Sequence, residues 1–116
     1  MPRTPIALCG IALLLAIVAV ASGRADDKTL LATLQAKLEK ADAEIAKQDW
    51  KAANELLNEA LTDLGNRYYD PNVIDDSGMH LVAANMQEKE GKPDNAARNR
   101  RRILDSRMEM LREKNH

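Results

Sequence analysis

The stretch QDWKAANELLNEAL, from Gln48 to Leu61, decides how this chain is expected to fold. It contains no proline or glycine, and its apolar residues return every three or four positions, which is the spacing of one helix face. A related stretch, KPDNAARNRRRIL, runs from Lys92 to Leu104. When Ala53 is aligned with Ala96, each copy reads as a helix, a tight turn and a second helix. The sequence therefore predicts two helical hairpins.

The helix boundaries follow from residues that start or stop helices. Asp49 is a good N-cap, and Asp76 or Ser77 has the same role further along the chain. Gly91 followed by Pro93 is typical of one helix ending and the next beginning. The predicted fold is all-α, with two stacked antiparallel helical hairpins. The four helices are expected at about residues 28–47, 50–69, 79–90 and 93–114.

The second helix of the first hairpin carries an aromatic residue and small and large apolar residues at spacings of three, four and three. These residues are Trp50, Ala53, Leu57 and Ala60. The pattern resembles the second helix of a tetratricopeptide repeat, and the resemblance covers roughly residues 34–67 and 77–110. Alanines at such positions let helices approach closely while the larger residues fill the space between them. The chain is thus expected to be a tetratricopeptide-like protein with two degenerate repeats.

The resemblance implies a non-enzymatic module that binds a protein or peptide on a concave face, formed mainly by the first helix of each pair. The candidate partner-binding residues on that face are Gln35, Leu38, Asp42, Ile45, Leu81, Asn85, Glu88 and Lys89. Leu38 and Ile45 also lie on the apolar stripe of their helix, so packing competes with binding for them. An ordinary four-helix bundle is the alternative architecture.

Two other functions stay open. Two repeats are fewer than the three usually needed for an independent solenoid, so the chain is also a candidate for self-association. The apolar end of the last helix, with Met108, Met110 and Leu111, would then pair with another copy. The other function is binding of an anionic surface through an arginine cluster, defined here as Arg98, Arg101 and Arg102.

Some side chains can be placed in the fold before the structure is known. Arg100 falls on the packed stripe of the last helix, so its guanidinium needs a carboxylate, with Glu88 and Glu90 as candidates. Trp50 is expected in the core, where its burial would contribute strongly to a small domain. Of Tyr68 and Tyr69, one is expected to pack and the other to face outward.

The first 25 residues have the pattern of a signal peptide. Arg3 precedes an uncharged run from Ile6 to Ala21, and small residues follow it, so cleavage is expected after Ala21 or Ala25. The run is shorter than the roughly 20 residues that span a bilayer. The remaining domain, residues 26–116, is then periplasmic or secreted and meets the membrane only transiently. An uncleaved anchor in the inner membrane is the alternative.

Composition argues against several functions. The chain has 17 Lys and Arg against 18 Asp and Glu, and loss of the leader would remove two arginines, leaving a net acidic domain. That balance, with no aromatic residue among the arginines, argues against nucleic acid as a partner. Residues 26–116 lack cysteine, and no base is spaced to activate Ser77 or Ser106. No catalytic residue, cofactor or metal site is therefore predicted.

Overall fold

The computed structural model describes residues 23–115, and all regular secondary structure in this range is helical. The four helices are α1 (Gly23–Ala46), α2 (Trp50–Leu64), α3 (Ser77–Lys89) and α4 (Pro93–Lys114). They form two antiparallel hairpins, α1–α2 and α3–α4, and the predicted fold class is confirmed. Most of the predicted signal peptide lies outside the described residues. None of the described helices combines the length and apolar character that a membrane-crossing helix requires.

The helix α2 begins after the N-cap residue predicted from the sequence. The side chain of Asp49 accepts a hydrogen bond from the backbone N–H of Ala52 at 3.2 Å, as predicted for an N-cap. The helix ends at Leu64, before the predicted residue 69. The reason is Gly65, which has φ of 54° and donates its N–H to the carbonyl of Leu61. A residue with positive φ cannot continue a right-handed helix, so the chain turns there.

The second hairpin is also bounded as its sequence indicates. Gly91 has φ of 80°, and Pro93 occupies the first turn of α4. At the start of α3, Asp76 is in the N-cap position but its side chain makes no capping hydrogen bond. The neighbouring Asp75 accepts the N–H of Ser77 instead, at 3.0 Å.

The two hairpins are joined through their second helices. α1 packs on α2, α2 packs on α4, and α4 packs on α3. α1 approaches α4 only at a few positions, and in the described range the backbone of α3 approaches neither α1 nor α2 closely. The fully buried alanines that allow the close packing are Ala41, Ala53, Ala60, Ala84, Ala96 and Ala97.

The core lies between α1, α2 and α4. Leu34, Leu57 and Leu104 are among its completely buried residues. Tyr68 is buried and Tyr69 is 54% exposed, so the prediction that one packs and one faces outward is confirmed. Trp50 is only partly buried and packs against the edge of the core.

The end of α4 belongs to this core. Met108 and Leu111 are buried, and Met110 is partly buried against the same cluster. They contact their own chain, so the surface expected from the sequence for self-association is not free. This is a correction of that expectation, and its cause is that α4 packs against α2 and α3 and also meets α1.

The start of α1 is fixed to the rest of the domain. Arg67 forms ion pairs with Asp26, at 2.9 Å, and with Asp27. Asn115, just after α4, donates a hydrogen bond to Asp27 at 3.1 Å. The contacts that hold the described domain together therefore include residues from Asp26 onward.

Candidate interaction surfaces

The predicted binding residues on α1 have different environments. Gln35 is exposed, Leu38 is buried in the core, and Ile45 is partly buried against it. Both carboxylate oxygens of Asp42 accept hydrogen bonds from Arg101, at 2.9 and 3.0 Å. Leu38 is used in core packing and Asp42 in an ion pair. Of the four predicted residues on α1, Gln35 is therefore the one with an exposed side chain that makes no such contact.

The predicted binding residues on α3 are closer to one another. Asn85, Glu88 and Lys89 line a pocket of about 390 Å³. Leu81 packs against the core and contributes to a neighbouring pocket, which it shares with Asn85. Since α3 does not approach α1, the structure does not bring the two sets of predicted residues together on one face.

A buried arginine joins the two hairpins. Arg100 is 2% exposed, and its guanidinium donates to Asn54 of α2 at 2.7 Å and to Asn85 of α3 at 2.8 Å. It also forms an ion pair with Glu88 at 2.7 Å, so the predicted carboxylate partner is confirmed. The Nε atom of Arg100 is buried and has no hydrogen-bond partner. The sequence did not indicate Asn54, because its contact with Arg100 depends on how the hairpins pack.

The arginine cluster is partly neutralised by carboxylates. Arg101 pairs with Asp42 and Asp105, and the hydrogen bond with Asp42 raises the pKa of its guanidinium more than partial burial lowers it. Arg98 forms an ion pair with Asp94 at 3.5 Å and lies over the Trp50 ring, with 5.3 Å from its guanidinium carbon to the ring centre.

Arg102, like Arg98, is an exposed member of the cluster. It lines a small pocket of about 160 Å³ with polar side chains that include Asp76, His80 and Ser106. Because Arg101 and Arg98 already have carboxylate partners, the cluster offers an anionic surface less free charge than its sequence suggests.

A second polar network fixes the loop before α3. Arg107 is buried, donates from Nε to the hydroxyl of Ser77 at 2.8 Å, and lies over the Tyr68 ring at 4.7 Å. The Tyr68 hydroxyl donates to Asp75 at 2.9 Å. The sequence interpretation missed this network, although Arg107 lies three residues after Leu104 and four before Leu111, on the buried face of α4.

These contacts change two pKa values. Partial burial raises the pKa of Asp75, but hydrogen bonds from Ser77 and Tyr68 and the charge of Arg107 lower it below the usual 3.8 overall. Burial raises the pKa of Tyr68, and the hydrogen bond to Asp75 raises it further. The network therefore favours an ionised Asp75 and a neutral Tyr68 in the folded protein.

The outer face of α3 carries three exposed apolar side chains. Met79 is 77% exposed, Val82 59% and Met86 55%. Their spacings of three and four place them along one side of the helix. The inner side packs on α4, with Ala84 fully buried. We call the exposed row of Met79, Val82 and Met86 the α3 stripe.

The sequence interpretation noted that α3 is apolar but did not separate its two faces. The signal was present in the spacing of Met79, Val82 and Met86, which is out of phase with the inward Leu81 and Ala84. Sequence alone does not say which of two apolar faces meets the core. That choice is made when α3 packs against α4.

Residues 26–115 contain no group of three or more His, Cys, Asp or Glu side chains arranged to hold a metal ion.

Comparison with known proteins gave no match to a family model, to a curated protein or to a solved structure.

Proposed function

We propose that this chain is a non-enzymatic protein–protein interaction module and that the α3 stripe is its docking surface. The observation that carries the proposal is the exposure of Met79, Val82 and Met86 on one helix face. A contiguous apolar patch on a small domain is typical of an interaction site. Covering it would remove apolar area from water, which stabilises a complex by about 25 cal/mol per Å².

The surroundings of the stripe support a docking role because they hold α3 in place. Near its end, Asn85 and Glu88 are bound by the buried Arg100. At its start, Ser77 accepts a hydrogen bond from the buried Arg107. A helix held at both ends loses little conformational freedom on binding, and this raises its affinity for a partner.

The proposed relation to tetratricopeptide repeats is supported by the burial of its small and large residues. Ala53, Leu57 and Ala60 are all fully buried, which fits their expected use in close helix packing. Trp50 is at the edge of the core rather than inside it. The binding surface we propose is on the first helix of the second hairpin, within the set of helices from which the resemblance implied a docking face.

We also propose that the domain acts in the periplasm or outside the cell after removal of a signal peptide. The basic start, the uncharged run and the small residues at Ala21 and Ala25 support export. The ion pairs of Asp26 and Asp27 with Arg67 fit a folded domain that begins close to that point. Determining the N-terminal residue of the protein recovered from the producing cells tests this part of the proposal.

The docking role can be tested by placing a photoreactive amino acid at Val82 and, as a matched control, at Glu109 on the exposed side of α4. Each full-length variant is irradiated in its native cellular compartment. We expect a discrete cross-linked product from position 82 and none from position 109. Absence of a product at position 82, or the same products from both positions, would contradict the proposal.

A further inference from the structure

A buried arginine of α4 has two terminal nitrogens that the fold leaves unused. Arg107 is 8% exposed, and its Nε atom donates to Ser77. Its terminal nitrogens donate no hydrogen bond within residues 26–115, and no carboxylate of that range lies within 4.0 Å of them. Asp75 is stabilised by the charge of Arg107 but makes no direct ion pair with it. A buried guanidinium without a paired charge is costly, so an anion placed beside it is stabilised.

Arg107 lines a pocket of about 260 Å³ between the two hairpins. The walls come from α2 and α3 and contain two leucines, two asparagines and a threonine, but no carboxylate. The lining residues are Asn58, Leu61, Thr62, Leu81, Asn85 and Arg107. In the described range the Nε of Arg100 is the only wholly buried side-chain nitrogen or oxygen without a hydrogen-bond partner. The unpaired terminal nitrogens of Arg107 are therefore accessible, and this pocket is where they can meet a ligand.

The asparagines of the pocket add further donors. Asn85 accepts a hydrogen bond from Arg100 with its side-chain oxygen, so its amide nitrogen is left as a donor without an acceptor in residues 26–115. The side chain of Asn58 makes no hydrogen bond in this range. One positive charge and two amide groups therefore line the pocket, with no acidic side chain beside them. Such a lining selects an anion.

We propose that this pocket binds a small aliphatic monocarboxylate. The terminal nitrogens of Arg107 hold the carboxylate in the two-point geometry that a guanidinium provides, and Leu61 and Leu81 contact the aliphatic tail. The pocket is smaller than the roughly 300 to 1,000 Å³ of a site for a drug-sized ligand, so the tail has about three to five carbon atoms. The site goes beyond the proposed docking role, because the pocket includes no residue of the α3 stripe.

The neighbouring charges favour a single negative charge over a double one. A larger pocket of about 530 Å³ shares Asn58 and Thr62 with this one. Three carboxylates line it, and Lys37 forms ion pairs with two of them, so most of their negative charge stays uncompensated. These carboxylates belong to Glu55, Glu59 and Asp63. Their charge repels a dianion such as phosphate more than it repels a monocarboxylate.

Titration with pentanoate tests the site, using purified ¹⁵N-labelled protein produced from the full-length chain. We expect saturable shifts of the side-chain amide signals of Asn58 and Asn85, with a dissociation constant on the order of 1 mM. Pentanamide has the same shape without the charge, and it should bind at least about tenfold more weakly, as should inorganic phosphate. The absence of a saturable shift with pentanoate, or tighter binding of either other probe, would overturn the proposal.

Variants of the pocket test which groups hold the carboxylate. Arg107→Gln removes the charge and should weaken pentanoate binding by at least about tenfold. Because Arg107 also holds Ser77, a second variant is needed that leaves this buried network intact. Asn58→Asp, at an exposed position, adds a negative charge to the pocket and should weaken binding by a similar factor.

The matched control is Asn95→Asp, which adds the same charge at an exposed position of α4. It lies about 18 Å along the helix from Arg107, so binding should stay within about twofold of the parent. Circular dichroism of each variant shows whether the helices are retained. Pentanoate binding that survives either pocket variant, or that Asn95→Asp weakens equally, would rule out this site.

Discussion

Arg100 is the largest fully buried side chain of the described domain, and it lies at the contact between the hairpins. A guanidinium in such a position loses its hydration, and its burial is costly unless most of its donors and its charge find partners. Asn54 and Asn85 satisfy two of them with neutral oxygens, and Glu88 supplies the compensating charge. Because Glu88 is still 42% exposed, the ion pair is partly solvated, and we assign more of the effect to the buried Asn54.

Replacing Arg100 with Met therefore leaves the Asn54 side-chain oxygen buried without a donor. We expect the free energy of unfolding to fall by about 2 kcal/mol in urea denaturation. The matched control is Arg102→Met, at an exposed position of the same helix, which should change it by less than about 0.5 kcal/mol. An Arg100→Met protein as stable as its parent would mean that the network gives specificity without net stability.

Asp75, in the loop before α3, is expected to make the stability of the domain depend on pH in the acid range. Its pKa is lower in the folded protein than the usual 3.8 expected for the unfolded chain. Its contribution to stability is therefore fully present above the unfolded value and is lost as the pH falls through the folded value. Asp75→Asn should lower the free energy of unfolding by about 1 kcal/mol at pH 7.

The pH dependence of this difference is the decisive measurement. The difference in the free energy of unfolding between Asp75→Asn and the parent should become smaller as the pH is lowered below about 4, because the carboxylate of Asp75 is then protonated in the parent. Thermal unfolding of both proteins across that range follows the change. The control is Glu109→Gln, which removes an exposed ion pair and should have a small effect throughout. A difference in the free energy of unfolding that stays constant as the pH falls below about 4 would contradict this role of Asp75.

Contacts between residues could be predicted from the sequence where the spacing along one helix determines them. Arg100 and its carboxylate could be expected from helical spacing because both lie within the second hairpin. Asn54 and Arg107 could not be assigned partners, since their contacts join segments far apart in sequence. The half-burial of Trp50 also depends on tertiary packing, because Arg98 covers one face of its ring.

The elements themselves are set by local chemistry, and glycine shows this most clearly. Gly91 has φ of 80° between α3 and α4, a conformation that side-chain-bearing residues adopt only with strain. Gly78, in the first turn of α3, has no positive φ, and a Cβ added there would meet nothing within 4 Å. The same residue type therefore has opposite roles at the two ends of one helix.

Alanine substitution at the two glycines should have opposite signs. Gly91→Ala should lower the free energy of unfolding by about 1 kcal/mol, because Ala resists positive φ. Gly78→Ala should raise it by about 0.4 to 1 kcal/mol, because Ala favours the helix and restricts the unfolded chain. Urea denaturation of the two variants beside the parent measures both, and two shifts of the same sign would contradict this assignment.

The helix positions were predictable from periodicity and from such stop signals. The two largest differences are that α1 begins at Gly23 instead of residue 28 and that α2 ends at Leu64 instead of residue 69. Gly65 was present in the sequence, but its positive φ is a property of the folded turn. The two faces of α3 were not distinguishable for a related reason. Both are apolar, and only the position of α4 decides that Ala84 is inside and Val82 outside.

At the scale of the whole molecule, two hairpins are held together by α2 and α4. In the described range the backbone of α3 approaches α4 and does not come close to α1. Helices of the two hairpins approach closely at alanine. Ala97 of α4 is completely buried in the main core cluster, where a larger side chain would have no space.

Ala97→Leu tests whether this close approach holds the hairpins together. The added methylene groups must displace either the α2–α4 contact or the neighbouring core residues, and overpacking of this kind costs about 1 to 3 kcal/mol. Ala43→Leu adds the same atoms at an exposed position of α1 and is expected to change stability by less than about 0.5 kcal/mol. A shift of Trp50 fluorescence in the Ala97 variant alone would place the disturbance at the junction, because Trp50 begins α2 and packs at the edge of the core. If Ala97→Leu were as stable as Ala43→Leu, the hairpins would have room between them, and close alanine packing would not explain how this domain holds together.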